Sequence, residues 1–416
     1  MMRRFRLVFV GVLGGLTLTA LWVAPAAGQT AGPTWVSSWG GRGPLSTTIT
    51  TNHTVNEPTP NLSGRTVRVM AHLTTGGSQV RVRLSQRFSA APLAVGAAHV
   101  GVRGSGSAIL GGTDRALTFG GASTVIVPAG GDVWSDPVAL GVAGGKDLAI
   151  SVYVPGAFTP TTEGGRGLTK TSYYKTGNQV SSLSFQSPST TRQVLVVYEV
   201  QVLSPGPAAT LVTLGDSITE GACSRLDANG DWPDLLSARM PVLPDGTAVG
   251  VFNAGIGSGR FVASDGAGLR GLTRLDELLA LPNVRWVTVL MGVNDISYED
   301  VSAAVLEDAY TNAITKAHAA GKKIIGIPIL PFANSVKDVG DNTQVAQDVN
   351  AWIRAHDKRL GVPEPSYDAI IDLEPVVRDP DDPEWEMSSD LTCDRVHPNQ
   401  AGYTAIANAI PLDVFR

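Results

Sequence analysis

Charged residues, cysteine and histidine are all scarce in this 416-residue chain, and each shortage argues against one class of protein or site. Charged residues make up only 17% of it, and 32 Lys and Arg against 37 Asp and Glu give a net charge of −5. Binding a phosphate backbone requires a basic surface, so we expect no nucleic-acid partner. Because 43% of the residues are hydrophobic, the chain can bury a core, and its length predicts two domains.

The two cysteines, Cys223 and Cys393, are too few for a disulfide-rich scaffold. Their even number is compatible with one disulfide in an oxidising compartment. The six histidines are scattered, and neither a Cys-x-x-Cys nor a His-x-x-x-His spacing occurs. We therefore expect no zinc site and no cofactor.

Long apolar runs are absent except at the start of the chain. Arg3–Arg6 contains three arginines, Leu7–Val23 is apolar, and small residues follow at Ala24–Gly28. This order is typical of a secretory signal peptide, so we predict that residues 1–28 are removed and that the protein is secreted to the extracellular space. The alternative is an uncleaved membrane anchor, for which the apolar run is short. No later stretch is apolar enough to span a bilayer, so we expect no stable membrane insertion after processing.

Residues 35–205 consist of short runs in which apolar and polar residues alternate, such as Thr66–Met70 and Val80–Leu84, separated by Gly-rich turns. This pattern predicts an all-β, jelly-roll-like antiparallel sandwich. The region either binds polysaccharide or supports the rest of the protein, depending on whether its tryptophans are exposed or in the core. Further predicted strands are Ser123–Val127, Leu148–Val154 and Val194–Val202, and the tryptophans in question are Trp35, Trp39 and Trp134.

The pattern changes after the turn-forming segment Ser204–Pro207. In residues 206–416, nearly continuous apolar strands alternate with helical segments, which predicts an α/β domain with a doubly wound, five-stranded parallel sheet. The predicted strands are Thr210–Leu214, Gly250–Asn253, Arg285–Met291, Lys323–Leu330 and Tyr367–Asp372. The predicted helices are Tyr298–Ala320 and Gln344–Leu360.

Two short motifs place a hydroxyl, a carboxylate and an imidazole in this second region. Ser217 follows the first predicted strand, at the sheet edge where doubly wound folds bind ligands. Asp394 and His397 are three residues apart, a spacing that lets the carboxylate hold the imidazole in the tautomer that accepts a proton from a hydroxyl. Taken separately, the serine could equally cap a helix, and the second motif could be a surface turn.

Two further motifs follow neighbouring predicted strands. Asn294, in Gly292–Asp295, could donate its side-chain amide to a developing oxyanion, or its segment could be a turn that caps the helix near Tyr298. The Gly-rich loop Asn253–Arg260 could direct backbone N–H groups into the same crevice. Dinucleotide binding is not expected there, because the loop does not follow the first strand and lacks the complete Gly-x-Gly-x-x-Gly pattern.

These four motifs, in this order, resemble those of the SGNH hydrolases, also called the GDSL family. The resemblance covers residues 208–412, and the β-rich half resembles the N-terminal region of secreted bacterial members. It implies that Ser217 is the nucleophile, that Asp394 and His397 complete a catalytic triad, and that Asn294 is an oxyanion donor. Ser217, Asn294 and the Gly-rich loop each follow a predicted strand, so these motifs can meet at one edge of the sheet.

The oxyanion hole implied by the resemblance consists of the Ser217 N–H, the Asn294 amide and one N–H from the Gly-rich loop. The family's glycine falls on Ser258, although the amide of Gly257 or Gly259 is possible instead. Ser258 is favoured because a serine tolerates a left-handed backbone less well than its glycine neighbours.

Assembly of this triad would also bring Cys223, six residues after Ser217, close to Cys393, which precedes Asp394. We therefore predict a Cys223–Cys393 disulfide. Asp216 and Asp295 are expected to support the loops of Ser217 and Asn294 rather than to act in catalysis.

The resemblance implies a secreted serine esterase that hydrolyses carboxylic esters through an acyl-enzyme. A carbohydrate acetylesterase is the first candidate, because export and a sandwich domain suit action on an extracellular acylated polysaccharide. Alternatives are a lipase or broad carboxylesterase acting on lipid or other esters, an O-acyltransferase, and a non-catalytic glycan-binding protein. The sequence does not indicate an oligomeric state.

Overall fold

The computed structural model describes residues 32–41, 48–49, 55–56, 59–158, 169–263, 270–381 and 384–416. The predicted signal peptide lies outside these residues. Within the described ranges, no helix combines the length and the apolar character needed to cross a membrane.

The first half of the described chain contains antiparallel strands in two larger sheets and two small pairs. One sheet has the order β1, β15, β5, β10, with β11 also beside β5, and the other has the order β14, β13, β4, β12, β7, β8. The strands are β1 (Thr34–Gly40), β2 (Thr48–Ile49), β3 (Val55–Asn56), β4 (Arg65–His72), β5 (Gly77–Ser85), β6 (Leu93–Val95), β7 (Ala97–Val102), β8 (Arg115–Ala116), β9 (Val125–Val127), β10 (Asp132–Trp134), β11 (Val138–Val142), β12 (Asp147–Val154), β13 (Ser172–Thr176), β14 (Ser189–Thr191) and β15 (Val197–Ser204).

Alternation of apolar and polar side chains explains why these strands form a sandwich. In β5, the side chains of Val80, Val82 and Leu84 are buried, whereas Arg81 and Arg83 between them are partly exposed. Buried side chains from both larger sheets pack into one hydrophobic core. The expectation of an all-β antiparallel region is thus confirmed.

The second half contains five parallel strands in the order β17, β16, β18, β19, β20. In this order the crevice of a doubly wound sheet opens beside β16, at the carboxyl ends of the strands. The parallel five-stranded sheet is as predicted. The strands are β16 (Ala208–Gly215), β17 (Ala248–Gly255), β18 (Val284–Leu290), β19 (Lys323–Gly326) and β20 (Ala369–Ile370). The helices are α1 (Ser217–Glu220), α2 (Trp232–Arg239), α3 (Gly271–Leu279), α4 (Val293–Glu299), α5 (Ala303–Ala319), α6 (Asn342–Ala355), α7 (Glu374–Val377) and α8 (Gln400–Ala409).

Both predicted helices had wrong boundaries. The Tyr298–Ala320 segment contains the end of α4 and all of α5, because Asp300 takes a left-handed backbone with φ 50° and interrupts the helix. The Gln344–Leu360 segment is helical only to Ala355, where α6 ends, and a separate 3₁₀ turn follows. The helices α2, α3 and α8 were not predicted.

Strand β1 lies against β16 and β17, which joins the two regions through a packed junction. A side chain at Gly250 would collide with the backbone carbonyl of Ser37, so glycine permits this close approach. The Thr74 hydroxyl accepts a hydrogen bond from the Val251 N–H at 2.8 Å. The β-rich region therefore supports the strand next to the predicted site. Of its three tryptophans, Trp39 is buried and the other two are partly exposed.

Candidate active site

Ser217 lies where β16 ends and α1 begins, at the first position of the helix. The preceding residue, Asp216, caps this helix, because its carboxylate accepts a hydrogen bond from the Ile218 N–H at 2.9 Å. A first-turn N–H has no partner within its own helix. The Ser217 N–H therefore donates no hydrogen bond within α1. The capping residue is Asp216, so the alternative interpretation of Ser217 as a helix cap is wrong.

The structure brings Ser217, His397 and Asp394 together. The Ser217 Oγ lies 2.8 Å from the His397 Nε2, and the His397 Nδ1 lies 2.8 Å from the Asp394 Oδ2. Because a carboxylate only accepts hydrogen bonds, the Nδ1 carries the proton, which leaves the Nε2 free to accept the proton of the serine hydroxyl.

The loop that carries Asp394 and His397 is folded on itself. The second carboxylate oxygen, Oδ1, accepts hydrogen bonds from the backbone N–H groups of His397 at 2.7 Å and Val396 at 3.0 Å. Between Asp394 and Val396, Arg395 takes a left-handed backbone with φ 68°. One oxygen of Asp394 thus holds the loop and the other holds the imidazole, so the motif is more than a surface turn.

A disulfide joins Cys223 to Cys393, with 6.5 Å between the two Cα atoms. It connects the chain just after α1 to the residue that precedes Asp394. The segment that follows Ser217 and the loop that carries Asp394 and His397 are therefore covalently linked, although the two cysteines are 170 positions apart in the sequence.

Asn294 lies in the first turn of α4, directly after β18, and is 3% exposed. Its Nδ2 donates to the Gly259 carbonyl at 3.0 Å, and the Lys337 Nζ donates to its Oδ1 at 2.8 Å. A lysine ammonium has no acceptor, so this contact fixes which end of the amide carries the oxygen. The sequence did not predict Lys337, which lies 43 residues away in a segment between β19 and α6 and belongs to no motif.

The Gly-rich loop contains a tight turn in which the Gly259 N–H donates to the Ile256 carbonyl at 2.9 Å. Ser258 is the third residue of this turn and takes the left-handed conformation, with φ 57°. The sequence argument for Ser258 is therefore wrong, because Ser258 itself adopts the left-handed backbone and neither Gly257 nor Gly259 does. Because the turn engages the Gly259 amide, the amides of Gly257 and Ser258 are the better candidates for an oxyanion donor.

Two buried carboxylates hold the loops around these residues. Burial raises the pKa of Asp216 to about 6, although the Ile218 N–H and the nearby His397 and Lys337 favour its ionised form. Burial likewise raises the pKa of Asp295. The carboxylate of Asp295 accepts hydrogen bonds from three backbone N–H groups that follow the Gly-rich loop, those of Phe261, Val262 and Ala263. These contacts agree with the supporting roles expected of both residues.

The same neighbourhood holds one group of potential metal ligands, in which atoms of Cys223, Asp394 and His397 lie within 4.8 Å of one another. The sulfur belongs to the disulfide and cannot become a thiolate ligand. The other two side chains are hydrogen-bonded to each other. This group therefore does not provide a metal site.

A serine hydroxyl that faces a His–Asp pair at the carboxyl edge of a parallel sheet is the arrangement found in serine hydrolases. Residues 213–405 match the GDSL-like lipase/acylhydrolase family, and this part of the chain is therefore a domain of that family. The match extends from β16 into α8 and contains all the predicted site residues.

Solved structures similar to about half of the chain include a carbohydrate acetylesterase from Sinorhizobium meliloti, with 16% identity, a TM-score of 0.39, and coverage of 48% of this chain and 95% of that one. An aryl esterase from M. smegmatis has 15% identity, a TM-score of 0.38, and coverage of 48% and 95%. A GDSL-like lipase from Bacteroides thetaiotaomicron has 20% identity, a TM-score of 0.37, and coverage of 50% and 87%. The comparison with curated protein sequences gave no match.

Proposed function

We propose that this protein is a secreted serine esterase that hydrolyses carboxylic esters through an acyl-enzyme formed on Ser217. The observation that carries the proposal is the continuous chain of hydrogen bonds from the Ser217 hydroxyl through His397 to Asp394. Membership of residues 213–405 in a family of lipases and acylhydrolases supports the same reaction class.

In the first half of the reaction, the His397 Nε2 accepts the hydroxyl proton while the Ser217 Oγ attacks the ester carbonyl carbon. The carbonyl π electrons move to the oxygen, and a tetrahedral oxyanion forms. On collapse, the bond to the leaving alcohol breaks and His397 gives its proton to that alcohol. A water molecule then repeats the sequence on the acyl-enzyme, which releases the acid and restores the serine.

Three N–H donors are proposed to stabilise the oxyanion: the backbone amide of Ser217, the side-chain amide of Asn294, and the backbone amide of Ser258 or Gly257. The Ser217 backbone suits this role because Ser217 is the first residue of α1, so its N–H has no hydrogen-bond partner within that helix. Loss of one such donor typically reduces turnover a hundredfold or more.

The proposed substrate class is acetyl esters of an extracellular carbohydrate. The predicted signal peptide and the β-rich region beside the catalytic domain suit action on an external polymer. A lipase or broad carboxylesterase is the second candidate, favoured by three exposed apolar side chains in the segments that carry Asn294 and Lys337. These are Tyr298, Val336 and Val339, which are 54%, 86% and 65% exposed.

The test is initial-rate hydrolysis of p-nitrophenyl esters from acetyl to palmitoyl by the protein and by its Ser217→Ala variant. Activity confined to short acyl chains and lost in the variant supports the acetylesterase, and a long-chain optimum supports the lipase. Equal activity of the two proteins would overturn the assignment of Ser217. Inclusion of a sugar or alcohol acceptor distinguishes hydrolysis from acyl transfer, because transfer yields a new ester. A protein that binds glycan but turns over no ester would support the non-catalytic alternative.

A further inference from the structure

Lys337 is a buried cation beside the proposed oxyanion hole that the catalytic cycle above does not use. Its side chain is 6% exposed, and its ammonium group lies 3.2 Å from the centroid of the Tyr298 ring. Burying a lysine is unfavourable unless partners compensate for the lost hydration. The compensation here comes from the ring face and from the Asn294 carbonyl oxygen at 2.8 Å.

The contact with Asn294 has a directional consequence. A primary amide can rotate by a half-turn and exchange its oxygen and nitrogen with little change in shape, and one of the two orientations presents an acceptor to the oxyanion. Because the ammonium group can only donate, it permits only the orientation with the Asn294 Oδ1 toward Lys337. The Nδ2 then faces the opposite way, where one of its hydrogens is bound to the Gly259 carbonyl.

The segment that carries Lys337 is itself anchored. The Asn342 Nδ2 donates to the Lys337 carbonyl at 2.9 Å, and the Lys337 N–H donates to the Ser335 hydroxyl at 3.1 Å. The neighbouring Asn334 carbonyl accepts a hydrogen bond from the Arg395 guanidinium of the triad loop at 3.0 Å. The ammonium group is therefore held against Asn294 by a segment that also contacts the loop of the proposed base.

We propose that Lys337 is a positioning residue for the esterase reaction: it fixes the Asn294 side chain as an N–H donor to the oxyanion and polarises that amide. The inference rests on the proposed function. A positive charge that is hydrogen-bonded to the amide oxygen withdraws electron density from the N–H groups, which makes them stronger donors. The gain is largest when negative charge develops in the transition state. The effect of Lys337 should therefore fall on kcat rather than on KM.

The ammonium group has several charged neighbours. Burial lowers the pKa of Lys337 to about 8, with Asp216 and Asp394 raising it and Arg260 lowering it further, while the Tyr298 ring covers one side. Deprotonation above this pH would remove the charge from Asn294. Turnover should consequently decline between about pH 8 and pH 10, and the decline should disappear when residue 337 no longer titrates.

The experiment compares Lys337→Met, Lys337→Arg, Asn294→Ala and the Asn294→Ala/Lys337→Met double variant on p-nitrophenyl acetate. We expect Lys337→Met to lower kcat about tenfold with KM changed less than twofold, and Lys337→Arg to restore part of the loss without the alkaline decline. The double variant should be no slower than Asn294→Ala alone. Lys316→Met, at a half-buried lysine on α5, is the matched control and should behave as the unaltered protein.

A kcat within twofold of the unaltered protein for Lys337→Met would overturn the inference and leave the proposed function intact. An undiminished effect of the substitution in the Asn294→Ala background would also overturn it, because Lys337 would then act by another route.

If the unaltered protein hydrolyses no ester, the proposed function fails and the rate of Ser217 labelling by a fluorophosphonate decides instead. That reagent forms a Ser Oγ–P bond as fluoride leaves and places a phosphonyl oxygen at the same donors. Slower labelling of Lys337→Met would support the inference, whereas equal rates or no labelling of either protein would overturn it.

Discussion

The β-rich region and the α/β region each contain a histidine–aspartate pair, and the geometry of one nearly equals that of the other. In the β-rich region, the His72 Nδ1 lies 2.7 Å from the Asp147 Oδ1, and in the α/β region the His397 Nδ1 lies 2.8 Å from the Asp394 Oδ2. Both pairs are partly buried. The pair geometry alone therefore does not identify a catalytic site.

The surroundings of the two pairs differ. His72 and Asp147 face each other across adjacent strands, and the Arg103 guanidinium donates to the same carboxylate at 2.9 Å. His397 instead lies in a folded loop and presents its second ring nitrogen to Ser217. A pair fixed in a sheet and bound by further charges serves stability, whereas a pair at the open edge of a parallel sheet can move a proton.

The largest expected difference is in turnover. Asp394→Asn should reduce kcat on the order of ten-thousand-fold, because an amide can donate to the Nδ1 and so favours the tautomer whose Nε2 cannot accept the serine proton. Asp147→Asn, the matched substitution, should leave kcat unchanged. The measurement is kcat on an ester that the unaltered protein hydrolyses, with thermal unfolding as the control for folding. A comparable loss in both variants would refute the distinction between the pairs.

The next effect concerns how each pair is held in place. The ladder between β4 and β12 aligns His72 with Asp147, whereas a disulfide at Cys393 tethers the Asp394 loop. Replacing both cysteines by serine should lower the free energy of unfolding by roughly 4 to 5 kcal/mol, since a loop of this length is then unconstrained in the unfolded chain. Urea unfolding of the variant and of the unaltered protein under non-reducing conditions measures it. Reduced unaltered protein should match the variant, and a difference below about 1 kcal/mol would show that the tether is dispensable.

The same contrast shows what the sequence could predict. Apolar runs located the parallel strands well, as Arg285–Met291 against the observed β18 shows, because burial on both faces requires such runs. The Asp-x-x-His spacing likewise located a pair that closes within one loop. The His72–Asp147 pair was not predicted, because its partners are 75 residues apart and meet only through strand register.

Helix limits and loop conformations were less accessible. Asp300 ends α4 through a single left-handed residue in an otherwise helical pattern, and Ser258 adopts that backbone beside two glycines that would do so more easily. The short helix α2 has a recognisable start in Asp231 followed by Pro233, but too few residues for a clear period. The contact of Lys337 with Asn294 depends on tertiary packing and has no local signal.

Buried carboxylates of the two regions should respond to pH in opposite directions. Burial raises the pKa of Asp216 to about 6, so its protonated form stabilises the fold below about pH 4 and this stability is lost as the pH rises through 6. Burial also raises the pKa of Asp147, but hydrogen bonds from His72 and Arg103 and the charge of Lys170 outweigh it and hold that pKa well below its usual range. The stability that Asp147 contributes is therefore present at neutral pH and lost in acid.

Asp216→Asn should consequently stabilise the protein at pH 8 by about 2 to 3 kcal/mol, the value of a shift of about two pKa units, with the gain vanishing toward pH 4. The asparagine oxygen can still accept from the Ile218 N–H. Asp147→Asn should instead destabilise the protein at pH 8, with a loss that shrinks only as the pH falls below about 4. Urea unfolding of Asp216→Asn at pH 4, 6 and 8, and of Asp147→Asn at pH 2, 4 and 8, measures these differences. Equal differences at every pH would contradict the assignment of the two signs.

The smallest effect is expected at a third pair, in which the His99 Nδ1 lies 2.8 Å from the Asp114 Oδ2. Its histidine is on β7, and its side chains are 18% and 22% exposed, so solvent screens their attraction more than in the His72 pair. Asp114→Asn should cost less than about 1 kcal/mol and leave kcat unchanged. Because its distance equals that of the His397–Asp394 pair, a loss of several kcal/mol would mean that β-rich pairs stabilise through geometry alone. A small loss would mean instead that the Arg103 guanidinium bound to Asp147 makes the difference, which Arg103→Met can measure directly.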